Sequence, residues 1–142
     1  MSADATLVER RADSADYLKY AGPESNDVHT EHTYFTSPTA DLHAVIYRPK
    51  NVKPNAPALV YFHGGGWVFG SHTSDDPLCR DLCVQSNTLI VSVNYRHAPE
   101  APFPAAAEDG FAALKWVHAN AAELGGIAEK IAVAGWSAGG NV

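Results

Sequence analysis

Three short, nearly continuous apolar runs constrain this chain most: Ala58-Leu59-Val60-Tyr61-Phe62, Thr88-Leu89-Ile90-Val91-Ser92-Val93 and Ile131-Ala132-Val133-Ala134. A strand with one wetted face alternates apolar and polar residues, so runs without alternation are of the kind found in strands covered on both faces. The intervals between them carry helical signals. Asp76-Pro77 offers a cap and first-turn pair, and Leu78, Cys79, Leu82 and Cys83 follow at i, i+3 and i+4 spacing. A longer helix is entered through Pro104, with Glu108 and Asp109 near its start and Phe111, Leu114 and Val117 facing inward; Gly125-Gly126 follows it. Strands alternating with helices in this order predict a parallel sheet with right-handed crossovers.

Upstream, residues 7 to 20 carry Leu7, Val8, Tyr17, Leu18 and Tyr20 among charges, which predicts an amphipathic helix stopped by Gly22-Pro23 and followed by a polar stretch to about Thr30. Two candidate strands come next, near His32 to Phe35 and Leu42 to Tyr47, with Ser37-Pro38-Thr39-Ala40-Asp41 between them and a loop from Pro49 to Pro57 after them. Such a pair makes an antiparallel start to the sheet. A chain of 142 residues, 46% hydrophobic and 10% aromatic, has apolar material for one buried core.

The formal charge of −6 and the scatter of the 10 basic residues argue against nucleic acid as a partner. Asp4, Glu9, Asp13 and Asp16 interrupt any signal sequence, and no apolar run approaches the roughly 18 residues of a membrane span, so a cytoplasmic protein without a span is expected. Cys79 and Cys83 are spaced like neither a redox pair nor a zinc ligand pair, and two buried thiols are expected.

The third apolar run leads directly into Gly135-Trp136-Ser137-Ala138-Gly139, a G-x-S-x-G pentapeptide followed by Gly140. At a strand end this pattern presents a serine on a sharp turn, with glycines where side chains would collide with backbone. The amides of the following turn then lie near the reaction centre, where negative charge develops. The first apolar run leads into His63-Gly64-Gly65-Gly66-Trp67. Consecutive glycines let backbone N–H groups converge on one oxygen, and removing one such donor costs an acyl-transfer enzyme about 100- to 1000-fold in rate. Both motifs stand at the carboxyl ends of strands, where α/β sheets place ligands.

These motifs, with Asn94-Tyr95-Arg96-His97-Ala98-Pro99-Glu100 and Phe103-Pro104-Ala105-Ala106 between them, resemble the hormone-sensitive lipase family of α/β-hydrolases over about residues 42 to 142. The resemblance implies an α/β-hydrolase fold, cut after the nucleophile turn, with residues 1–30 as an N-terminal cap segment and 31–142 as the first half of the catalytic domain. It implies Ser137 as nucleophile, the amides of Gly65, Gly66 and Ala138 as oxyanion hole, Gly64 shaping the loop, and His63 holding it by hydrogen bonding. No cofactor or metal is implied, and the substrate is a small-molecule ester. Trp136 departs from the family, which commonly carries aspartate before the nucleophile; core packing is the expectation for its indole.

A serine hydroxyl needs a base, and the base needs an acid to fix its tautomer. In this fold both follow the serine in the chain, and five residues follow Ser137 here. None of the histidines at 29, 32, 43, 63, 72, 97 and 118 suits the role better than a structural one. The expectation is a truncated reading of a protein about twice as long, or a chain that pairs with a second polypeptide supplying the other half. A carboxylic ester hydrolase is the leading reading. A non-catalytic, receptor-like ligand-binding homologue is the alternative.

Overall fold

The structure, a computed structural model, describes residues 6–14, 25–53 and 55–142. Helix α1 spans Leu7–Ser14; the rest of the helix expected to residue 20, and its Gly22-Pro23 stop, lie outside the described residues. Strands β1 (Val28–Thr36) and β2 (Asp41–Pro49) pair antiparallel, with Thr36 opposite Asp41. The antiparallel start is as expected, although β1 begins at Val28, inside the stretch read as polar.

Strand β3 (Ala56–Phe62), helix α2 (Asp76–Ser86), strand β4 (Leu89–Asn94), helix α3 (Ala105–Ala119), the short helix α4 (Ala121–Leu124) and strand β5 (Gly126–Gly135) complete the sheet, whose order is β1-β2-β4-β3-β5. β3 lies parallel to both β4 and β5, while β2 meets β4 antiparallel. The sheet is therefore mixed, with its parallel part where the apolar runs predicted it.

Strand periodicity divides the core between the two sheet faces. Leu42, Ala44 and Ile46 of β2, Val60 and Phe62 of β3, and Leu89, Val91 and Val93 of β4 pack with Ala113 and Val117 of α3. The intervening Val45, Tyr47, Tyr61 and Ile90 pack with Cys79 and Cys83 of α2. One helix on each face explains why β3 and β4 need no polar alternation. Both cysteines are free thiols, and burial pushes each up to about 12.

Several expectations are corrected. β5 is not covered on both faces: it pairs with β3, and Val133 is 58% exposed. Leu78 and Phe111, read as inward, are exposed, because α2 and α3 present other stripes to the sheet. In α3 the buried stripe is Ala105, Asp109, Ala113 and Val117, spaced by four. Asp76 and Pro77 begin α2, but the flanking position belongs to Asp75, and no side chain caps the helix. Asp76 instead accepts hydrogen bonds from Tyr47 Oη (2.8 Å) and Arg80 Nε (2.6 Å).

Candidate active site

β5 ends at Gly135, and the chain turns through Trp136 into a 3-10 turn, Ser137–Gly140. Ser137 has φ +53°, a left-handed conformation unusual for a residue with a Cβ. Such strain concentrates at functional sites and persists where the surroundings over-determine it. Here they do. A Cβ on Gly139 would collide with the carbonyl oxygens of Phe62 and His63, and one on Gly135 would collide with the Gly139 carbonyl. The two flanking glycines let the turn pack backbone to backbone against the end of β3, with Ser137 outermost and exposed.

The loop after β3 is built from the same material. Gly65 (φ +132°), Gly66 (φ +61°) and Trp67 (φ +61°) run left-handed, and Gly65 O accepts from Val68 N (3.2 Å) and Phe69 N (2.9 Å) to close a tight turn. Among the described residues, the N–H groups of Gly65 and Gly66 make no backbone hydrogen bond. Gly64, Gly65, Gly66, Asp75, Trp136 and Ser137 line one cavity of about 420 Å³, so the serine turn and the glycine loop share a site. Arg10 of α1 also borders it.

His63 is fully buried beneath this loop, and its Nδ1 lies 2.7 Å from Gly64 O. Since a carbonyl only accepts, Nδ1 carries the proton in this contact. The ring stacks on Tyr95 at 4.5 Å, and Tyr95 Oη donates to His63 O at 2.8 Å. Burial pushes the imidazole below its ordinary value and keeps it neutral. His97 stands edge-on to the His63 and Tyr95 rings.

Trp136 does not pack in the core. The residue is 58% exposed, and its indole lies over Gly64, where a Cβ would come within 2.6 Å of Cε2. Its Nε1 donates to Asp75 Oδ2 at 3.0 Å, and Tyr61 Oη donates to the same oxygen at 2.9 Å. Asp75 was not singled out from the sequence. Its signal was available in part: an aspartate beside another aspartate just before a helix, downstream of the glycine loop, with one of the two free for a second task.

Two further contacts escaped the sequence reading. Arg96 grips Asp109 through Nε (2.9 and 3.0 Å) and Nη2 (2.7 Å), while its own backbone N–H donates to Asp109 Oδ2 at 2.9 Å. Asp109 is completely buried. Arg11 of α1 reaches Val68 O (2.9 Å), Ala98 O (3.1 Å) and both oxygens of Glu100 (2.9 Å each), fastening the N-terminal helix to the segments that follow β3 and β4.

None of the seven histidines hydrogen-bonds Ser137 among the described residues. His63 serves the glycine loop, His97 stacks behind it, His29 and His118 are exposed, and His32, His43 and His72 gather outside the Ser137 cavity. That gathering is the one group among the described residues with spacing suited to a metal ion.

Residues 59–142 match the family described as alpha/beta hydrolase fold. The chain belongs to the α/β-hydrolases, in their hormone-sensitive-lipase-like branch. Carboxylesterase NlhH of Mycobacterium tuberculosis is 51% identical over 102 residues, covering 72% of this chain and 32% of the relative. Ethyl acetate hydrolase of Pseudomonas putida is 35% identical over 138 residues, or 96% of this chain and 40% of that enzyme. Among solved structures, the thermophilic carboxylesterase EstE1 from a metagenomic library superposes with a TM-score of 0.91 at 42% identity, over 99% of this chain and 48% of that one. This α/β-hydrolase chain thus spans between about a third and a half of the relatives it matches.

Proposed function

We propose that this chain carries the nucleophile and oxyanion-binding part of a serine carboxylic ester hydrolase. The observation that bears most weight is Ser137, held left-handed at the end of β5 and facing the same cavity as the glycine loop. In the proposed reaction Ser137 Oγ attacks the acyl carbon, and the amides of Gly65, Gly66 and Ala138 donate to the oxygen that gains charge. The alcohol leaves, and water then releases the acid from the acyl-enzyme. His63 keeps the loop in place through Gly64 O, which leaves the loop's own amides free for the substrate. A histidine and a carboxylate from outside the described residues would move the proton. α1, tied down by Arg11, is the described part of the proposed cap. Small-molecule esters are the substrates in this reading, and the two free thiols suit the cytoplasm. No helix among the described residues is long and apolar enough to cross a membrane.

The test is turnover of a short-chain p-nitrophenyl ester. The pure 142-residue chain is expected to show negligible turnover. Extended by a half carrying an Asp or Glu and then a His, it is expected to turn over, and Ser137→Ala to remove about 1000-fold or more of that rate. Robust turnover by these residues alone would contradict the reading that none of the described histidines serves as the base. Turnover that survives Ser137→Ala in the extended protein would remove Ser137 from the role of nucleophile.

A further inference from the structure

Register brings three histidines together at one end of the sheet. His43 on β2 pairs directly with Asn94, the last residue of β4, and with Tyr34 on β1; His32 lies two residues from Tyr34 on the same face. His72, from the segment between the glycine loop and α2, closes the group. The His32 and His43 rings stack at 5.2 Å, and His72 stands edge-on to them at 5.3 and 4.8 Å. One ring nitrogen from each lies within 4.8 Å of the others.

Asn94 organises the cluster. Its Oδ1 accepts from the backbone N–H of His72 at 2.7 Å, which fixes the orientation of the carboxamide. Nδ2 therefore donates both its hydrogens, to Nδ1 of His43 (2.9 Å) and Nδ1 of His72 (2.8 Å). Each Nδ1 presents a lone pair, so the proton of each neutral ring is on Nε2. Nε2–H of His43 can then donate to Nδ1 of His32, 3.0 Å away. The network places imidazole lone pairs toward shared electropositive hydrogens, with no carboxylate among its hydrogen bonds.

The geometry points to a site for a divalent transition-metal ion, of the zinc, cobalt, nickel or copper class, held by His32, His43 and His72 beside Asn94. Three imidazoles suit these borderline cations, whereas calcium and magnesium demand oxygen ligands. Metal ligation requires each ring to offer a nitrogen lone pair, and three rings from three segments already stand with one nitrogen each within 4.8 Å of the others. For His43 or His72 to ligate through Nε2, the ring proton must move to Nδ1, which then faces Asn94 Nδ2–H and breaks the hydrogen bond now made there. The ion would clip the β1–β2 hairpin to the segment leading to Asp75, and hence to the wall of the Ser137 cavity. The site uses no residue of the proposed reaction and stands whether or not the ester hydrolase reading does.

Asn94 makes the proposal sharply testable. Its amide hydrogens compete for the lone pairs a metal needs, while an aspartate of the same shape would accept from ring N–H groups and raise the basicity of the opposite nitrogens. Cobalt(II) titration of the untagged chain, followed by visible absorption, and zinc titration calorimetry are expected to show one equivalent bound. Asn94→Asp is expected to tighten binding about tenfold or more, and His32→Gln and His43→Gln each to weaken it at least about tenfold. His29→Gln, on β1 but outside the cluster, is expected to leave affinity unchanged. His32 is exposed, so its replacement tests the site without a core change. Absence of a ligand-field band with cobalt, unchanged affinity in His32→Gln, or equal loss in His29→Gln would each overturn the proposal.

Discussion

Trp136 donates its indole N–H to Asp75 at 3.0 Å, and so fastens the turn bearing Ser137 to the residue flanking α2. Trp136, the residue before Ser137, acts here as a brace in the wall of the cavity. Trp136→Phe keeps a ring over Gly64 but removes the donor, and is expected to cost about 1 kcal/mol of stability in urea denaturation. Trp136→Asp sets a second carboxylate against Asp75 and should cost more than Trp136→Phe. A Trp136→Phe variant as stable as the unsubstituted chain would show that the hydrogen bond contributes nothing.

Two glycines of the site should respond differently to the same methyl group. Gly139→Ala drives a Cβ into the carbonyls of Phe62 and His63, and a loss of about 3 kcal/mol is expected. At Gly66 nothing lies within 4 Å of the added carbon, and only the positive φ resists it, so about 1 kcal/mol is expected. Denaturation midpoints of the two variants measure the difference directly.

Asp109 is a buried carboxylate whose partner is Arg96. Asp109→Ala leaves the Arg96 backbone N–H without its acceptor and the guanidinium with only its bond from Nη2 to Thr39 Oγ1 among the described residues, and a loss of about 3 kcal/mol is expected. Asp109→Leu, which also abandons the guanidinium, should fare no better unless Arg96 is replaced with it. A double-mutant cycle on Arg96 and Asp109 separates pairing from packing.

Acid should loosen the region behind the glycine loop. Burial holds His97 down at about 4, against an ordinary 6.5, with His63 and Arg11 acting in the same direction. Between these values the unfolded chain binds a proton that the folded chain refuses. The stabilisation is therefore complete above about 6.5 and is lost as pH falls toward about 4. The urea midpoint is expected to fall across that window, and less steeply in His97→Gln. A midpoint independent of pH there would contradict the burial of a neutral imidazole.

The sequence carried the parallel core plainly, because β3 and β4 are buried on both faces and their side chains need no alternation. The serine turn and the glycine loop were legible for a related reason: backbone that must approach backbone admits only glycine, and glycine in a run is conspicuous. The aromatic ring of Phe111 points to a different stripe of α3 from the buried one, in which Ala105, Asp109, Ala113 and Val117 recur every four residues. An aspartate in that series looked like a helix-start charge, and its guanidinium partner lay 13 positions away on a different element. Asp75, Arg11 and the three histidines around Asn94 were harder still. Their roles depend on which strand lies beside which, and a mixed order of β1-β2-β4-β3-β5 is not written in any local pattern.

The grip of Arg11 on Glu100 has a consequence for how such chains can vary. The two residues stand 89 positions apart, yet the guanidinium also holds the carbonyls of Val68 and Ala98, and Ala98 N–H in turn donates to Trp67 O. Three stretches of polypeptide meet at one knot, so a change at position 11 is felt at once by the stretch behind the glycine loop and by the turn after β4. Drift at either end of that pair is expected to leave a matching trace at the other, as a lock keeps a record of its key.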